Sequence, residues 1–512
     1  MHGGAICKRA VTPVVSSVVG SASGEGDSPA GSEKRDNYAA AAFRGGTSRL
    51  ACRPRPQHLA AWPRLRAVVP LLGVSALLER RLEGGRHGRD EVAGGVVTTP
   101  VTLNPWEEEG IPLEKQYRTW KQIVKEPYHK LDVDAYSRAR IILMNGIENA
   151  VWNFSHQFSR MTDNHEILSL LARTRRVEDQ QQTTVNWLNP AEQTVLETSI
   201  AYEQVAVDLT AYLARHEPDP YMRESLHFGL LEDFDHLYRY SELMDYLEGT
   251  DANTILQSKT DIMPGRPTEH HHNDPEARLL KHYEKNRAHP ISKLHIWTLL
   301  SGEQQTRNYY KSHGFMYADR TARELYAEIG EVEEEHVSFY ESLTDPAETP
   351  LERMVLHELM EVYNYLHCLE QEEDPRLKAI WDEFLHMELT HLQLWGDMLR
   401  KYEGLEPETL FGADLKVEFK FTENKEYVRH VLSEQVDLRQ IDRHWTVKDQ
   451  LPADWPSYEY QRKVNADGVP SEEVVDLQAQ RHNGNAPHPG DELLERARQI
   501  ALQLREPSGG GG

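Results

Sequence analysis

The sequence predicts an all-α protein that contains two tandem four-helix bundles followed by a mostly irregular C-terminal extension. Apolar residues recur three and four positions apart through eight segments, which is the spacing of helices that bury one face. Gly, Pro and Asn-Pro stand at the ends of these segments, where helices stop. The segments cover about 134–161, 164–188, 190–216, 220–248, 291–312, 319–343, 350–372 and 376–402.

One predicted helix carries a carboxylate and an imidazole on the face that should be buried. Glu333 and His336 lie on the same stripe as Ile329, Val332 and Phe339. Charged groups on a buried face must be matched by a partner or must change protonation state. A bound metal ion would satisfy both side chains.

The same Glu-x-x-His pattern recurs further along the chain, at Glu388 and His391. Each copy is preceded by a single glutamate at the same interval. Glu303 precedes Glu333, and Glu358 precedes Glu388, because 333 minus 303 and 388 minus 358 are both 30. The order along the chain is therefore Glu, Glu-x-x-His, Glu, Glu-x-x-His.

This order resembles the ligand set of the ferritin-like di-iron superfamily, in which two helices each give a Glu and two each give Glu-x-x-His. Glu361, one turn after Glu358, resembles the additional glutamate of the rubrerythrin and erythrin branch. The resemblance implies a site for two iron ions, and carboxylate and imidazole ligands would also accept manganese in place of one iron. The implied ligands are Glu303, Glu333, His336, Glu358, Glu361, Glu388 and His391. In such a site one iron would be held by Glu333 and His336, and the other by Glu388 and His391.

Subtracting 155 from the numbers of these ligands reveals an internal repeat, and we call this difference the repeat offset. The repeat-equivalent positions keep the spacings of 30, 25 and 30, and Asp219-Pro220 aligns with Asp374-Pro375. The sequence therefore predicts a tandem duplication with one intact site and one degenerate site. The second candidate metal site consists of Glu148, Glu178, Gln181, Glu203, Asp233 and His236. Because Gln is a weaker ligand than His and Asp reaches less far than Glu, this half is expected to hold one metal, to bind loosely, or to be structural only.

The predicted domain organisation follows from the repeat. Bundle 1, with the degenerate site, covers residues 101–249, a linker covers 250–290, bundle 2, with the intact site, covers 291–404, and the C-terminal extension covers 405–512. The linker contains Glu269-His-His-His-Asn273, which is interpreted either as a solvated polar loop or as a transition-metal site.

Residues 1–100 differ in composition from the remainder. Residues 1–96 contain 14 Lys and Arg against 8 Asp and Glu, with many Gly, Ala and Ser. The segment is interpreted as a disordered extension such as a transit peptide, or as a spurious extension from a start codon assigned too early, the protein then beginning near Val97.

The charge and composition of the chain argue against nucleic acid and membranes as partners and favour a location in the cytoplasm. The chain has a net charge of −25, so the part after residue 96 carries −25 minus 6, or −31, which argues against binding to nucleic acid. The longest apolar run, 67–78, is too short to span a membrane and is interrupted by Pro70 and Gly73. Three cysteines without a disulfide or zinc spacing favour a cytoplasmic protein.

The resemblance implies a non-haem di-iron oxidoreductase, an oxygenase, oxidase or peroxidase that uses O2 or peroxide with an unknown small-molecule substrate. The alternatives are an iron-binding or storage protein without organic substrate, and a helical scaffold whose interior Glu and His residues pair without metal. The sequence contains no flavin, nicotinamide or iron-sulfur motif, so the reductant would be the substrate or a separate electron-donor protein. A monomer or dimer is expected.

Overall fold

The computed structural model describes residues 102–412, 415–416, 423–486 and 489. These residues are mostly helical, so the all-α prediction is confirmed at that level. The predicted extension over 1–100 lies outside the described residues. The amphipathic pattern of residues 490–505 predicts a helix, and this segment also lies outside the described residues. Within the described residues, no helix is long and apolar enough to cross a lipid bilayer.

Eight long helices form the body of the protein. Each begins after a residue whose side chain accepts a hydrogen bond from an N–H group of the first turn, which stabilises the helix start. The helices are α1 (Ala135–Ser159), α2 (His165–Asn186), α3 (Val195–His216), α4 (Pro220–Glu248), α5 (Pro290–His313), α6 (Arg320–Ser342), α7 (Pro350–Gln371) and α8 (Pro375–Glu403). Two of them, α4 and α8, end at Gly249 and Gly404, whose left-handed φ values of 62° and 67° suit glycine.

The helices pack as four hairpins, α1 with α2, α3 with α4, α5 with α6, and α7 with α8. Helix α1 contacts α3, α5 and α7, and α5 also contacts α3 and α7. In addition, α2 contacts α8 and α4 contacts α6, so these contacts join the first repeat to the second. The hairpins are therefore paired across the repeats, and the described residues cluster as one compact unit instead of as separate successive bundles.

The repeat extends into the irregular segments that precede α1 and α5. We call residues 104–133 the first lead segment and residues 259–288 the second lead segment. Both make the same backbone hydrogen bonds to positions related by the repeat offset, which shows that most of the predicted linker belongs to the second repeat. These bonds run from Ile111 N to His386 O (2.6 Å), Arg266 N to Leu231 O (3.2 Å), Tyr128 N to Leu188 O (2.9 Å) and Tyr283 N to Leu343 O (2.9 Å).

Several short elements complete the body. Strand β1 (Thr102–Leu103) pairs antiparallel with β2 (Leu415–Lys416). The alternation of Val417, Phe419 and Phe421 predicts a strand over 415–421, and its part after Lys416 lies outside the described residues. The short α-helices are Trp120–Ile123, Asn253–Leu256 and Glu408–Phe411, and the 3-10 turns are Leu113–Lys115, Thr268–His270, Pro275–Arg278, Gly314–Met316 and Lys448–Gln450.

The C-terminal extension is more regular than predicted. Its elements are α9 (Lys425–Gln435), α10 (Pro456–Val464) and α11 (Pro470–His482), with strands β3 (Leu438–Ile441) and β4 (His444–Val447) paired antiparallel. The sequence pattern predicts one helix over about 425–442, but the chain leaves the helix after Gln435 and turns back at Asp442, whose φ of 50° fits a tight hairpin turn. The last described helix, α11, packs across α4 and α6.

A glycine in each lead segment lets the segment lie directly on a helix backbone. A Cβ on Gly265 would lie 2.5 Å from Leu231 O, so Gly265→Ala must push the second lead segment away from α4. We expect this change to lower the free energy of unfolding by about 1–3 kcal/mol in urea titrations. The matched control is Gly302→Ala in α5, where an added Cβ meets nothing within 4 Å and should be neutral or stabilising. Equal effects of the two changes would contradict the close approach.

Candidate metal centres

Twelve acidic and histidine side chains of the eight long helices form two clusters in the interior. None of the twelve is more than 3% exposed. The two-histidine cluster consists of Glu203 from α3, Asp233 and His236 from α4, Glu303 from α5, and Glu333 and His336 from α6. The glutamate-rich cluster consists of Glu148 from α1, Glu178 from α2, Glu358 and Glu361 from α7, and Glu388 and His391 from α8.

The structure groups the candidate ligands differently from the sequence-based expectation. The set assigned to the second bundle is divided, with Glu303, Glu333 and His336 in one cluster and the rest in the other. Among the described residues, no hydrogen bond or ion pair joins these two groups. Each is instead completed by residues of the first repeat, which the sequence assigns to a degenerate site. The physical reason is the hairpin pairing, which brings α3 and α4 against α5 and α6.

The two-histidine cluster contains two overlapping four-residue groups. Asp233 and Glu333 belong to both groups, and all ligand atoms within a group lie within 4.8 Å of one another. One group adds Glu203 and His236, and the other adds Glu303 and His336. Nδ1 of His236 lies 2.9 Å from Glu333, and Nδ1 of His336 lies 3.3 Å from Asp233, 3.4 Å from Glu333 and 3.5 Å from Glu303. The arrangement could hold two ions with two shared carboxylates between them.

All three cluster histidines turn Nδ1 towards the carboxylates and Nε2 towards a residue outside the cluster. With the proton on Nε2, each imidazole presents the Nδ1 lone pair to the cluster. Metal-binding histidines are oriented in this way, because the second nitrogen donates a hydrogen bond that fixes the ring and its tautomer. The Nε2 contacts are His336 to Glu232 (2.8 Å), His236 to Nδ1 of His271 (3.4 Å) and His391 to Oε1 of Gln116 (2.6 Å).

Sequence reasoning missed Glu232, which is fully buried beside the two-histidine cluster. Arg266 and Arg278 of the second lead segment approach its two oxygens at 3.2 Å and 3.0 Å. Burial is the largest single influence and would raise the pKa of Glu232, but Arg278, His271 and the hydrogen bond from His336 together outweigh burial and hold the pKa well below its usual range. Glu232 therefore stays ionised as the acceptor for His336. The available signal was its place next to Asp233.

Gln116 was also missed, and His271 was predicted only as part of the His run of the linker, without a link to the clusters. Both are fully buried, and they are repeat-equivalent because 271 minus 116 is 155. His271 belongs to the His run, so this part of the run is neither solvated nor remote from the helices. Applying the repeat offset to the lead segments would have paired the two positions in the sequence.

The glutamate-rich cluster contains two groups that share Glu178. One group adds Glu358, Glu388 and His391, and the other adds Glu148 and Glu361. Nδ1 of His391 lies 2.8 Å from Glu178 and 2.9 Å from Glu388.

Gln181, the remaining candidate ligand of α2, lies beside the glutamate-rich cluster and takes the place that His336 has in the other cluster, because 336 minus 181 is 155. Its Nε2 donates a hydrogen bond to Glu388. The Tyr365 hydroxyl donates a hydrogen bond to Glu148.

The pKa values of the cluster residues indicate that a bound positive charge would stabilise both clusters. Burial, reinforced by neighbouring carboxylates, raises the pKa well above the usual range for Glu148, Glu203, Asp233, Glu358 and Glu361. Burial likewise raises the pKa of Glu178 and of Glu303 to about 7. For His336 and His391, the carboxylates outweigh burial and raise the pKa.

Many cluster oxygens also have no hydrogen-bond partner among the described residues. They include both oxygens of Glu361 and one oxygen of Glu203. Unpartnered buried oxygens are costly, and bound cations would satisfy them. The donor set therefore fits divalent metal ions.

Comparisons with known proteins add no assignment. Scans against protein-family models, curated proteins and solved structures find no match to this chain. The geometry of the clusters is therefore the basis for any statement about function.

Metal binding should tighten as the pH rises through about 7. Below that pH, Glu178 and Glu303 hold protons that an incoming ion must displace, because their pKa values are about 7 without metal. The apparent affinity should change about tenfold per pH unit for each proton displaced. Calorimetric titration of the metal-free protein with Zn2+ at pH 6 and pH 8, in buffers of different ionisation enthalpy, measures the apparent affinity and the number of protons released. Equal affinities without proton release would contradict the assignment.

Proposed function

We propose that this protein is a non-haem di-iron oxidoreductase of ferritin-like type, which activates O2 or peroxide at the two-histidine cluster. The observation that carries the proposal is the pair of overlapping groups that share Asp233 and Glu333. Each group has its own histidine and its own terminal glutamate. This is the ligand set that supports two adjacent ions in four-helix bundles.

The charges and donor types of the two-histidine cluster support iron. Four carboxylates, once ionised, balance the four positive charges of two divalent ions. Carboxylate and imidazole together suit iron or manganese, whereas soft metals prefer the thiolate and thioether ligands that this cluster does not contain. Two ferrous ions that each give up one electron would supply the two electrons needed to reduce hydrogen peroxide, with two protons, to water.

Protein groups around the two-histidine cluster would orient its ligands and limit access by water. Glu232 accepts a hydrogen bond from Nε2–H of His336 and so keeps Nδ1 directed at the carboxylates. Arg266 and Arg278 hold Glu232 in its ionised form and tie the second lead segment to α4. Because the ligands come from four helices and are held from outside, their positions are fixed before an ion binds.

A small cavity reaches the two-histidine cluster at Glu303. Its volume is about 20 Å³, and Val205, Ala206 and Leu299 contribute to its mostly apolar lining. A space of this size accommodates about one water-sized molecule. This favours O2 or peroxide as the reactant at the ions, with electrons supplied by a separate protein or by a substrate that binds elsewhere.

Metal counting in paired variants tests the proposal. Glu333→Ala with His336→Ala should remove the two ions of the two-histidine cluster and leave the ions of the other cluster. Glu388→Ala with His391→Ala should do the reverse, because the two pairs of residues lie in different clusters. Elemental analysis gives the ions per chain, and stopped-flow consumption of O2 and of peroxide by the iron-loaded proteins gives the activity. Only the first variant should abolish the activity.

A control variant and three alternative outcomes distinguish a di-iron enzyme from a storage protein and from a helical scaffold. Glu114→Gln, at an exposed position, should leave both measurements unchanged. Many irons per chain in a large shell would indicate storage. No stoichiometric metal in the parent protein would leave a helical scaffold. Loss of all metal in both paired variants would contradict two separate clusters.

A further inference from the structure

We infer that the glutamate-rich cluster is a second metal centre of a different kind, in which one ion position has only oxygen donors and selects a hard divalent cation such as Mn2+. The inference rests on the proposal that these clusters hold metal, and it assigns the class of ion at a position that the oxidoreductase proposal does not use. The position is formed by Glu148, Glu178 and Glu361.

The repeat allows the two clusters to be compared position by position. His336 corresponds to Gln181, and its hydrogen-bond acceptor Glu232 corresponds to Met387, since both pairs differ by 155. The two arginines that neutralise Glu232 are replaced as well. Arg266 corresponds to Ile111 and Arg278 corresponds to Ile123. The histidine, the glutamate that accepts its hydrogen bond and the two arginines that neutralise this glutamate are thus all replaced in the first repeat. Gln181 is therefore part of a changed environment, and the substitution of His by Gln is not the only difference between the two clusters.

The glutamate-rich cluster gains a carboxylate where it lacks an imidazole. Glu361 corresponds to Ala206, because 361 minus 206 is 155. Ala206 lines the small cavity beside Glu303. Glu361 is fully buried and belongs to the group with Glu148 and Glu178. The glutamate-rich cluster therefore has an additional carboxylate at the position where the two-histidine cluster has a cavity.

Unpartnered atoms point to a cation at the oxygen-only position. Both oxygens of Glu361 and one oxygen of Glu148 have no hydrogen-bond partner among the described residues, and Glu178 lies 2.8 Å from Nδ1 of His391. The amide of Gln181 donates to Glu388, while its own oxygen is buried and unpartnered. Three carboxylates therefore meet at a position where no positively charged side chain of the described residues forms an ion pair with Glu148 or Glu361. Gln181 is assigned to the same position by the repeat, as the counterpart of His336.

The donor atoms determine which ion the position prefers. Carboxylate and amide oxygens suit Mg2+ and Mn2+, whereas imidazole nitrogen increases the preference for Co2+, Ni2+ and Zn2+. Of the four candidate ion positions formed by the described residues, three contain a histidine, at His236, His336 and His391. Limited Zn2+ should therefore fill those three positions first and leave the oxygen-only position for Mn2+.

The test uses the metal-free full chain with three equivalents of Zn2+, followed by titration with Mn2+. Electron paramagnetic resonance measures free Mn2+, because its six-line signal is lost on tight binding. The expected result is one bound Mn2+ per chain. Glu361→Gln should weaken this Mn2+ site by about tenfold or more while the three Zn2+ ions stay bound. Glu114→Gln, at an exposed position, is the matched control and should bind as the parent does.

A second variant tests the inference without removing a ligand. Gln181→His gives the position an imidazole, so its preference for Zn2+ over Mn2+ should rise by about tenfold or more. An unchanged preference, or no tight Mn2+ site in the zinc-loaded parent protein, would overturn the inference and leave the two-histidine cluster unaffected. If the parent protein also fails to bind Zn2+, the proposed function fails with it.

Discussion

The cost of burying acidic groups governs this structure. Nine carboxylates lie in two interior clusters, accompanied by only three histidines. An ionised carboxylate that is removed from water and left without a counter-charge is strongly destabilising, and nearby carboxylates increase the cost. The metal-free protein meets this cost by holding protons, as the raised pKa values of Glu303 and Asp233 show. Two bound divalent cations would instead offset this cost by balancing the four carboxylate charges of the two-histidine cluster.

The same requirement explains how the repeats are combined. A single hairpin provides half of a ligand set, and in this chain the complementary half comes from the other repeat. His236 of the first repeat lies 2.9 Å from Glu333 of the second, and His391 of the second lies 2.8 Å from Glu178 of the first. Neither repeat alone could complete either cluster. The duplication therefore gives one interdependent unit in which the two clusters can differ chemically.

The sequence predicted the helices well, and it correctly placed the candidate acidic and histidine residues on buried helix faces, because helical periodicity is a local signal. The expected bounds of α1, near 134–161, and of α7, near 350–372, agree with the structure to within a few residues. The pairing of the hairpins could not be predicted, because every hairpin carries a similar spacing of acidic and histidine residues. A pattern that repeats identically does not specify which copy faces which.

The residues that contact Nε2 of the cluster histidines could not be predicted from the sequence, for a different reason. Gln116 and His271 lie in lead segments without periodicity, so no amphipathic pattern marks them as buried. Glu232 resembles any acidic residue of a helix until Arg266 and Arg278, from a segment predicted to be a linker, are placed beside it. Such contacts depend on how distant segments meet, which local patterns do not encode.

Anomalous diffraction at the iron edge, from crystals of the protein loaded with Fe2+, would test the cross-repeat arrangement most directly. The arrangement predicts two adjacent iron peaks enclosed by α3, α4, α5 and α6, with His236 and His336 on opposite ions. Two peaks enclosed by the four helices of the second repeat, α5 to α8, would contradict it, as would the absence of iron beside Asp233 and Glu333.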